Sequence, residues 1–438
     1  MVFSDYKYER PDLNSIGIEF EGLLEEFENA QDLETQNGII KKINKLRLHV
    51  DSMASLVHIR YSIDTTDEFY MEEMNFIDEN TPIYEGLIAK YYKALINSKF
   101  KDELKEIWGE QIFRLAEMQI QTFSEEIMED LVSENKLVTE YNKLVASAKL
   151  DFQGEIRNLS QMTPFMQSKD RLIRKQAYDK VYSFFADNEA EFDRIFDDLV
   201  KVRDKMAKVL GFENYVEMGY KRLNRSDYDH NMVANYRKQV YEDLVPLVTE
   251  LKYRQRDRLD LNDLKYYDEP IEYLSGNATP KGDAQWIIQN GKTMYRELSK
   301  ETDEFFTFMV ERELLDLESK KGKMSGGYCT TIPKYKSPFI FSNFNGTSGD
   351  IDVLTHEAGH ALQSYMSMDF ELPEYGFPTY EACEIHSMSM EFITWPWMEL
   401  FFQEEVDKYK FSHLAGAINF IPYGVTVDEF QHFIYQEP

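Results

Sequence analysis

Only two cysteines, Cys329 and Cys383, stand in a chain of 438 residues. That is too few for a disulfide framework of the secreted kind. Glycine and proline are sparse, at 20 and 13 residues, which excludes collagen-like and low-complexity chains. Positive charge is short: 49 Lys and Arg face 79 Asp and Glu, a formal net charge of −30. Nucleic acid and anionic membrane surfaces are bound through basic patches, so neither is an expected partner. Long apolar runs are missing as well. The best, Gly416 to Val427, contains Asn419 and Pro422 and falls short of the ~18 uninterrupted apolar residues of a membrane span. The opening MVFSDYKYERPD has no apolar core of a signal peptide. These features point to the cytoplasm, where surplus acid keeps a concentrated protein soluble.

What is present describes a folded helical chain. Apolar residues make up 43% and aromatics 14%, ample for a sizeable core. Length gives a soft prior of two or three domains. Helical spacing runs through 84–107 (Leu87, Tyr91, Leu95), 114–149, 169–211 and 230–256, all rich in Ala, Leu, Lys, Glu and Arg. The fold class is mainly α. One segment departs from it: 325–349, SGGYCTTIPKYKSPFIFSNFNGTSG, reads as two short strands around Pro333–Pro338. Breaks near Leu150–Thr163 and Asp268–Asp283 suggest two regions, an N-terminal helical one over 1–165 and a second over 166–438.

Histidine numbers only eight, yet two lie four apart in LTHEAGHALQ, residues 354–363. TSGD, Thr347 to Asp350, has the form of a capping box, so a helix is expected to start there. On it His356 and His360 share a face, where two imidazoles reach one metal ion. Glu357 then faces the ion's open position without binding it, placed as a general base toward water. Chance alone yields such a motif in a chain of this composition with odds of about 0.015, so its context matters. Gly359 inside the helix costs ~1 kcal/mol relative to alanine and makes sense if another backbone approaches there. A third ligand is needed. The next helix, expected from Thr379, carries Glu381 and Glu384 on nearly one face, and spacing does not separate them. His386 lies about 200° around that helix from Glu384 and is read as a core or partner-facing residue.

The run SGGYCTTIPKYKSPFIFSNFNGTSGDIDVLTHEAGHALQ, followed by EACEIHSMSMEF, resembles the oligoendopeptidase F branch of the thimet oligopeptidase family of zinc metallopeptidases. The upstream KDRLIRKQAYDKV and LVKVRDKMAKVLGFENY are similar too. The resemblance implies two helical halves flanking a deep channel, with a small β segment near one zinc ion. It implies a zinc endopeptidase acting on short unstructured oligopeptides. The family pattern of Glu, Ser three on and Glu seven on falls on Glu384, Ser387 and Glu391. That makes Glu384 the third ligand, and leaves Glu381 and Glu391 as carboxylates that orient a ligand histidine. The β segment resembles a substrate-holding edge strand, so Phe339, Ile340, Phe341, Ser342 and Asn343 are expected to pair with peptide backbone. Gly346 is expected to permit close backbone approach. The family's catalytic region continues well beyond Pro438. A missing C-terminal segment is therefore an expected partner, and a catalytically weak fragment that binds zinc and peptide is the alternative.

Overall fold

A computed structural model describes residues 1–438. The first third is helical: α1 (Leu13–Asn29), α2 (Leu33–Ile63), α3 (Glu68–Ile96), α4 (Lys101–Trp108), α5 (Gln111–Gln119) and α6 (Met128–Ala146). A hairpin of β1 (Leu150–Phe152) and β2 (Glu155–Arg157) follows. Then come α7 (Leu159–Met166), α8 (Arg171–Asp187), α9 (Glu189–Val209), α10 (Tyr215–Arg222), α11 (His230–Gln239) and α12 (Val245–Arg258). The last part holds α13 (Ala284–Leu298), α14 (Lys300–Glu311), β3 (Leu315–Glu318), β4 (Tyr328–Ile332), β5 (Ser337–Phe344), α15 (Gly349–Ser367), α16 (Tyr380–Ile393), α17 (Glu399–Phe402) and α18 (Val406–Gln436). No helix is long and apolar enough to cross a membrane.

Part of the acidity serves helix starts. Asp32, Asp67, Asp170, Asp229 and Asp283 each precede a helix and accept a backbone N–H of its first turn. A carboxylate there satisfies an otherwise orphaned donor and sits at the favourable end of the helix dipole. The long periodic stretches of the sequence are cut more often than their spacing suggests. Residues 169–211 break at Asn188, whose side-chain amide donates to the Phe184 carbonyl at 2.7 Å and closes α8. Residues 230–256 pass through a π-helical stretch at Val240–Leu244.

Two apolar cores share α2. Its first half (Ile39, Ile40, Ile43) packs with Phe20 and Phe27 of α1, Tyr91 of α3 and Phe113 of α5. Its second half (Met53, Leu56, Ile59) packs with Phe305 and Phe306 of α14, Phe339 to Phe341 of β5, and Ile351, Leu354, Ala358 and Ala361 of α15. The second core is the floor under the histidine helix. The connector from α15 to α16 crosses to the first core, where it buries Leu372. There Arg47 pairs with Glu374 at 2.7 Å, and the Tyr375 hydroxyl donates to the Trp108 carbonyl at 2.5 Å.

The three-stranded sheet has the order β3-β5-β4, with β5 parallel to β3 and antiparallel to β4. β5 is therefore the central strand, and Phe339, Ile340, Phe341 and Ser342 are buried. This corrects the expectation that Phe339–Asn343 forms an edge that holds substrate. Ile340 and Phe341 are paired on both sides, and the outer edges of the sheet belong to β3 and β4.

Candidate metal centre and active site

The histidine helix α15 is anchored on one side and open on the other. Ile351, Leu354, Ala358 and Ala361 are fully buried in the core, while His356 and His360 stay half-buried on the opposite face. Their ring centroids are 4.9 Å apart. The helix start differs from the expected capping box. Ser348 precedes the first turn without a side-chain cap, and Asp350 reaches back to accept Asn345 N–H at 2.9 Å and Gly346 N–H at 2.8 Å. Gly346 has φ +88° and nothing near its Cβ position, so it serves the turn that feeds Asp350. That replaces the expected backbone approach at Gly346.

α16 lies against α15 at Gly359. A Cβ there would stand 2.6 Å from the His386 carbonyl oxygen and the Ser387 Cα. This close crossing brings Glu384 to the histidines: its Oε2 is 3.1 Å from His356 Nε2 and 3.6 Å from His360 Nε2. Ser387 steadies that oxygen by donating its hydroxyl at 2.8 Å. The ligand atoms of His356, His360 and Glu384 lie within 4.8 Å of one another. A tetrahedral zinc with bonds of ~2.0–2.1 Å sets its ligands roughly 3.3 Å apart, so this donor set of two imidazoles and one carboxylate fits a single zinc ion.

Residues 3–123 match the Peptidase M3 N-terminal domain, and residues 164–282 and 289–437 match Peptidase family M3. The chain belongs to peptidase family M3. Among M3 relatives, it is 25% identical over 429 residues to an oligoendopeptidase F homolog of Borreliella burgdorferi (strain ATCC 35210), covering 93% of this chain and 67% of that one. It is 21% identical over 416 residues to oligopeptidase PepF of Bacillus subtilis (strain 168), covering 90% and 61%. Among solved structures, Pz peptidase A with an inhibitor superposes with a TM-score of 0.99 at 56% identity, over 100% of this chain and 78% of that one. A candidate oligoendopeptidase F from Bacillus anthracis strain Ames gives 0.99 at 58% identity, over 100% and 80%. The mainly α fold is thus that of M3 metallopeptidases of the oligoendopeptidase F branch.

Within this M3 site the remaining carboxylates have distinct surroundings. Glu357 is buried, and its Oε2 has no hydrogen-bond partner. Burial pushes its carboxyl up to about 7, against the pull of His356 and with the help of Glu384 and Glu391. Burial alone would raise Glu391 too, but hydrogen bonds from His356 and His413 outweigh it and hold the carboxyl low. Burial disfavours the charged form of His356, yet Glu391 and the charges of Glu357 and Glu384 prevail and raise it. His360 is lowered, by burial first and then by His356.

Glu381 is placed elsewhere. It is exposed, accepts Arg225 Nε–H at 2.7 Å, and makes no hydrogen bond or ion pair to His356 or His360. The expectation that it orients a histidine is corrected, because its helix position turns it toward α10 and the loop after it. Glu391 does meet a ligand histidine, at 2.7 Å from His356 Nδ1. His386 is exposed, with its carbonyl, not its ring, against Gly359. Asn343 spends its amide on the Met324 and Gly326 carbonyls, at 2.8 Å each, and so shapes the turn leading into β4. The first of the two expected strands is β4, but sequence reasoning gave it no place at the site; its entry at Gly327 lies beside Glu357, where a Cβ would be 3.4 Å from Glu357 Oε1. It also passed over His413 and Trp395, which no motif marks.

Proposed function

We propose that this chain holds one zinc ion with His356, His360 and Glu384 and hydrolyses internal bonds of short, unstructured peptides, with Glu357 as general base. The observation that carries the reading is the gathering of three ligand atoms within 4.8 Å beside a buried, unpartnered Glu357 oxygen. When bound, the ion supplies Lewis acidity, polarising the scissile carbonyl and acidifying water. Glu357 accepts a proton from the attacking water at Oε2. Its raised proton affinity suits a group that must both take that proton and pass it to the leaving amine. Ser387 and Glu391 hold Glu384 and His356 in place. The free edge of β4, next to Glu357, offers backbone groups to an extended peptide, a mode that selects shape over side-chain identity. An extended strand reaches such an edge only if it is unfolded, so folded proteins are spared.

Both cysteines are free thiols, the state a reducing cytoplasm maintains. A second reading is a chain that binds zinc and peptide but turns over slowly.

Cleavage of an internally quenched peptide tests the proposal. The zinc-loaded chain should cut it, a chelator should stop it, and Glu357→Gln should keep zinc while losing at least ~100-fold in rate. Zinc uptake without measurable turnover selects the second reading. Near-normal turnover in Glu357→Gln shows that another group takes the proton.

A further inference from the structure

Behind Glu391 lies a second imidazole that the proposed reaction does not use. His413, on α18, is buried and faces Glu391 with Nε2 at 2.5 Å from Oε2. Its other nitrogen, Nδ1, lies 3.0 Å from the indole Nε1 of Trp395. The ring is walled by Phe392, with centroids 4.7 Å apart, and by Tyr409, stacked at 5.6 Å. Tyr409 in turn donates its hydroxyl to Asp352 of α15 at 2.7 Å. The start of α18 thus grips both the histidine helix and the carboxylate behind it.

The donor inventory of these groups allows one arrangement. An indole N–H only donates, so His413 Nδ1 must accept from Trp395. A neutral imidazole has one N–H, so the proton sits on Nε2 and is given to Glu391 Oε2. The other Glu391 oxygen, Oε1, then accepts Nδ1–H of His356 at 2.7 Å. The Nε2 lone pair of His356 is left pointing toward Glu384. Donation thus converges on Glu391, from Trp395 through His413 on one oxygen and from the ligand histidine on the other.

We propose that His413 and Trp395 are positioning residues for the metal centre: they set the orientation of Glu391, and through it the tautomer and ring angle of His356. This rests on the zinc reading above. Without the His413 donor, one oxygen of a buried carboxylate loses its partner, and Glu391 gains freedom to turn away from His356. Groups behind a ligand histidine commonly tune metal affinity about 10- to 100-fold.

The test uses the full chain with His413→Phe, His413→Gln and Trp395→Phe. Phenylalanine keeps the ring's packing but has no donor. Glutamine can accept from Trp395 and donate to Glu391. Zinc affinity is read by chelator competition, and ring-nitrogen NMR shifts are read on metal-free protein at pH 9. In the wild type His413 should show a protonated Nε2 and a bare Nδ1. Trp395→Phe should mix the two forms. His413→Phe should weaken zinc about 10- to 100-fold, and His413→Gln should recover most of that loss. Unchanged affinity in His413→Phe overturns the proposal. So does an equal loss in Phe and Gln variants, which would trace the effect to packing. So does a wild-type His413 protonated at Nδ1. If the wild type takes up no zinc, the metal reading fails, while the nitrogen pattern still decides the relay.

Discussion

Replacing Gly359 by alanine sets two effects of known sign against each other. In an isolated helix the change gains ~1 kcal/mol. Here the new methyl carbon would stand 2.6 Å from the His386 oxygen and the Ser387 Cα, and 2.9 Å from the His386 carbonyl carbon. Carbon atoms in contact prefer about 3.5–4.0 Å, so α16 must retreat by roughly 1 Å. The obstacle is backbone and no side-chain rotation relieves it. Overpacking of this kind costs about 1–3 kcal/mol, which offsets or exceeds the helix gain. Metal-free Gly359→Ala should therefore unfold in urea with a stability between about 0 and 2 kcal/mol below wild type. The larger effect falls on the ion. Glu384 lies on the displaced helix, and its separations of 3.1 and 3.6 Å from the histidine nitrogens open together. A tenfold or greater loss of zinc affinity is expected, about 1.4 kcal/mol or more. Chelator competition measures it. An alanine variant that is more stable than wild type and binds zinc equally well would refute the close-crossing argument.

Two further outcomes follow from buried charges away from the ligands. Glu374→Ala leaves Arg47 buried and unpaired, with the two side chains 5% and 7% exposed at present, so a loss of about 3–5 kcal/mol is expected in denaturant unfolding. A loss below ~1 kcal/mol would mean that the connector is not anchored there. Asp78 on α3 is pushed up to about 6 by burial. The folded state then keeps a proton that the unfolded state has lost between about pH 4 and 6, so this group's contribution to stability falls as pH rises through that window. Asp78→Asn should match wild type near pH 4 and melt higher above pH 6; the opposite order would contradict the assignment.

The ligand pair was legible because four-residue spacing on one helix is local information. Gly359 was legible for a related reason: a helix-interior glycine has a cost that only a close neighbour explains. Glu384 needed more, since Glu381 shares its helix face by spacing, and what distinguishes them is tertiary: Ser387 and the histidines meet one, Arg225 the other. The strand error was of another kind. Phe339 to Ser342 are buried in succession, the mark of a strand covered on both faces, and that reading was open in the FIF run. Its parallel partner β3, LDLE, carries too little apolar pattern to announce itself. Asp350 had the spacing of a capping box but found closer donors in the preceding turn. His413 gave no sign because it reaches Glu391 only when α18 folds back across α16, 22 residues along the chain.

The central claim is that His356, His360 and Glu384 form one zinc site. Zinc content per chain, measured by elemental analysis on wild type, Glu384→Ala and Glu381→Ala, tests it most directly. The account predicts one tightly held ion in the wild type, near-complete loss in Glu384→Ala, and retention in Glu381→Ala, whose carboxylate answers to Arg225. No tight zinc in the wild type, equal loss in both variants, or loss only in Glu381→Ala would contradict it.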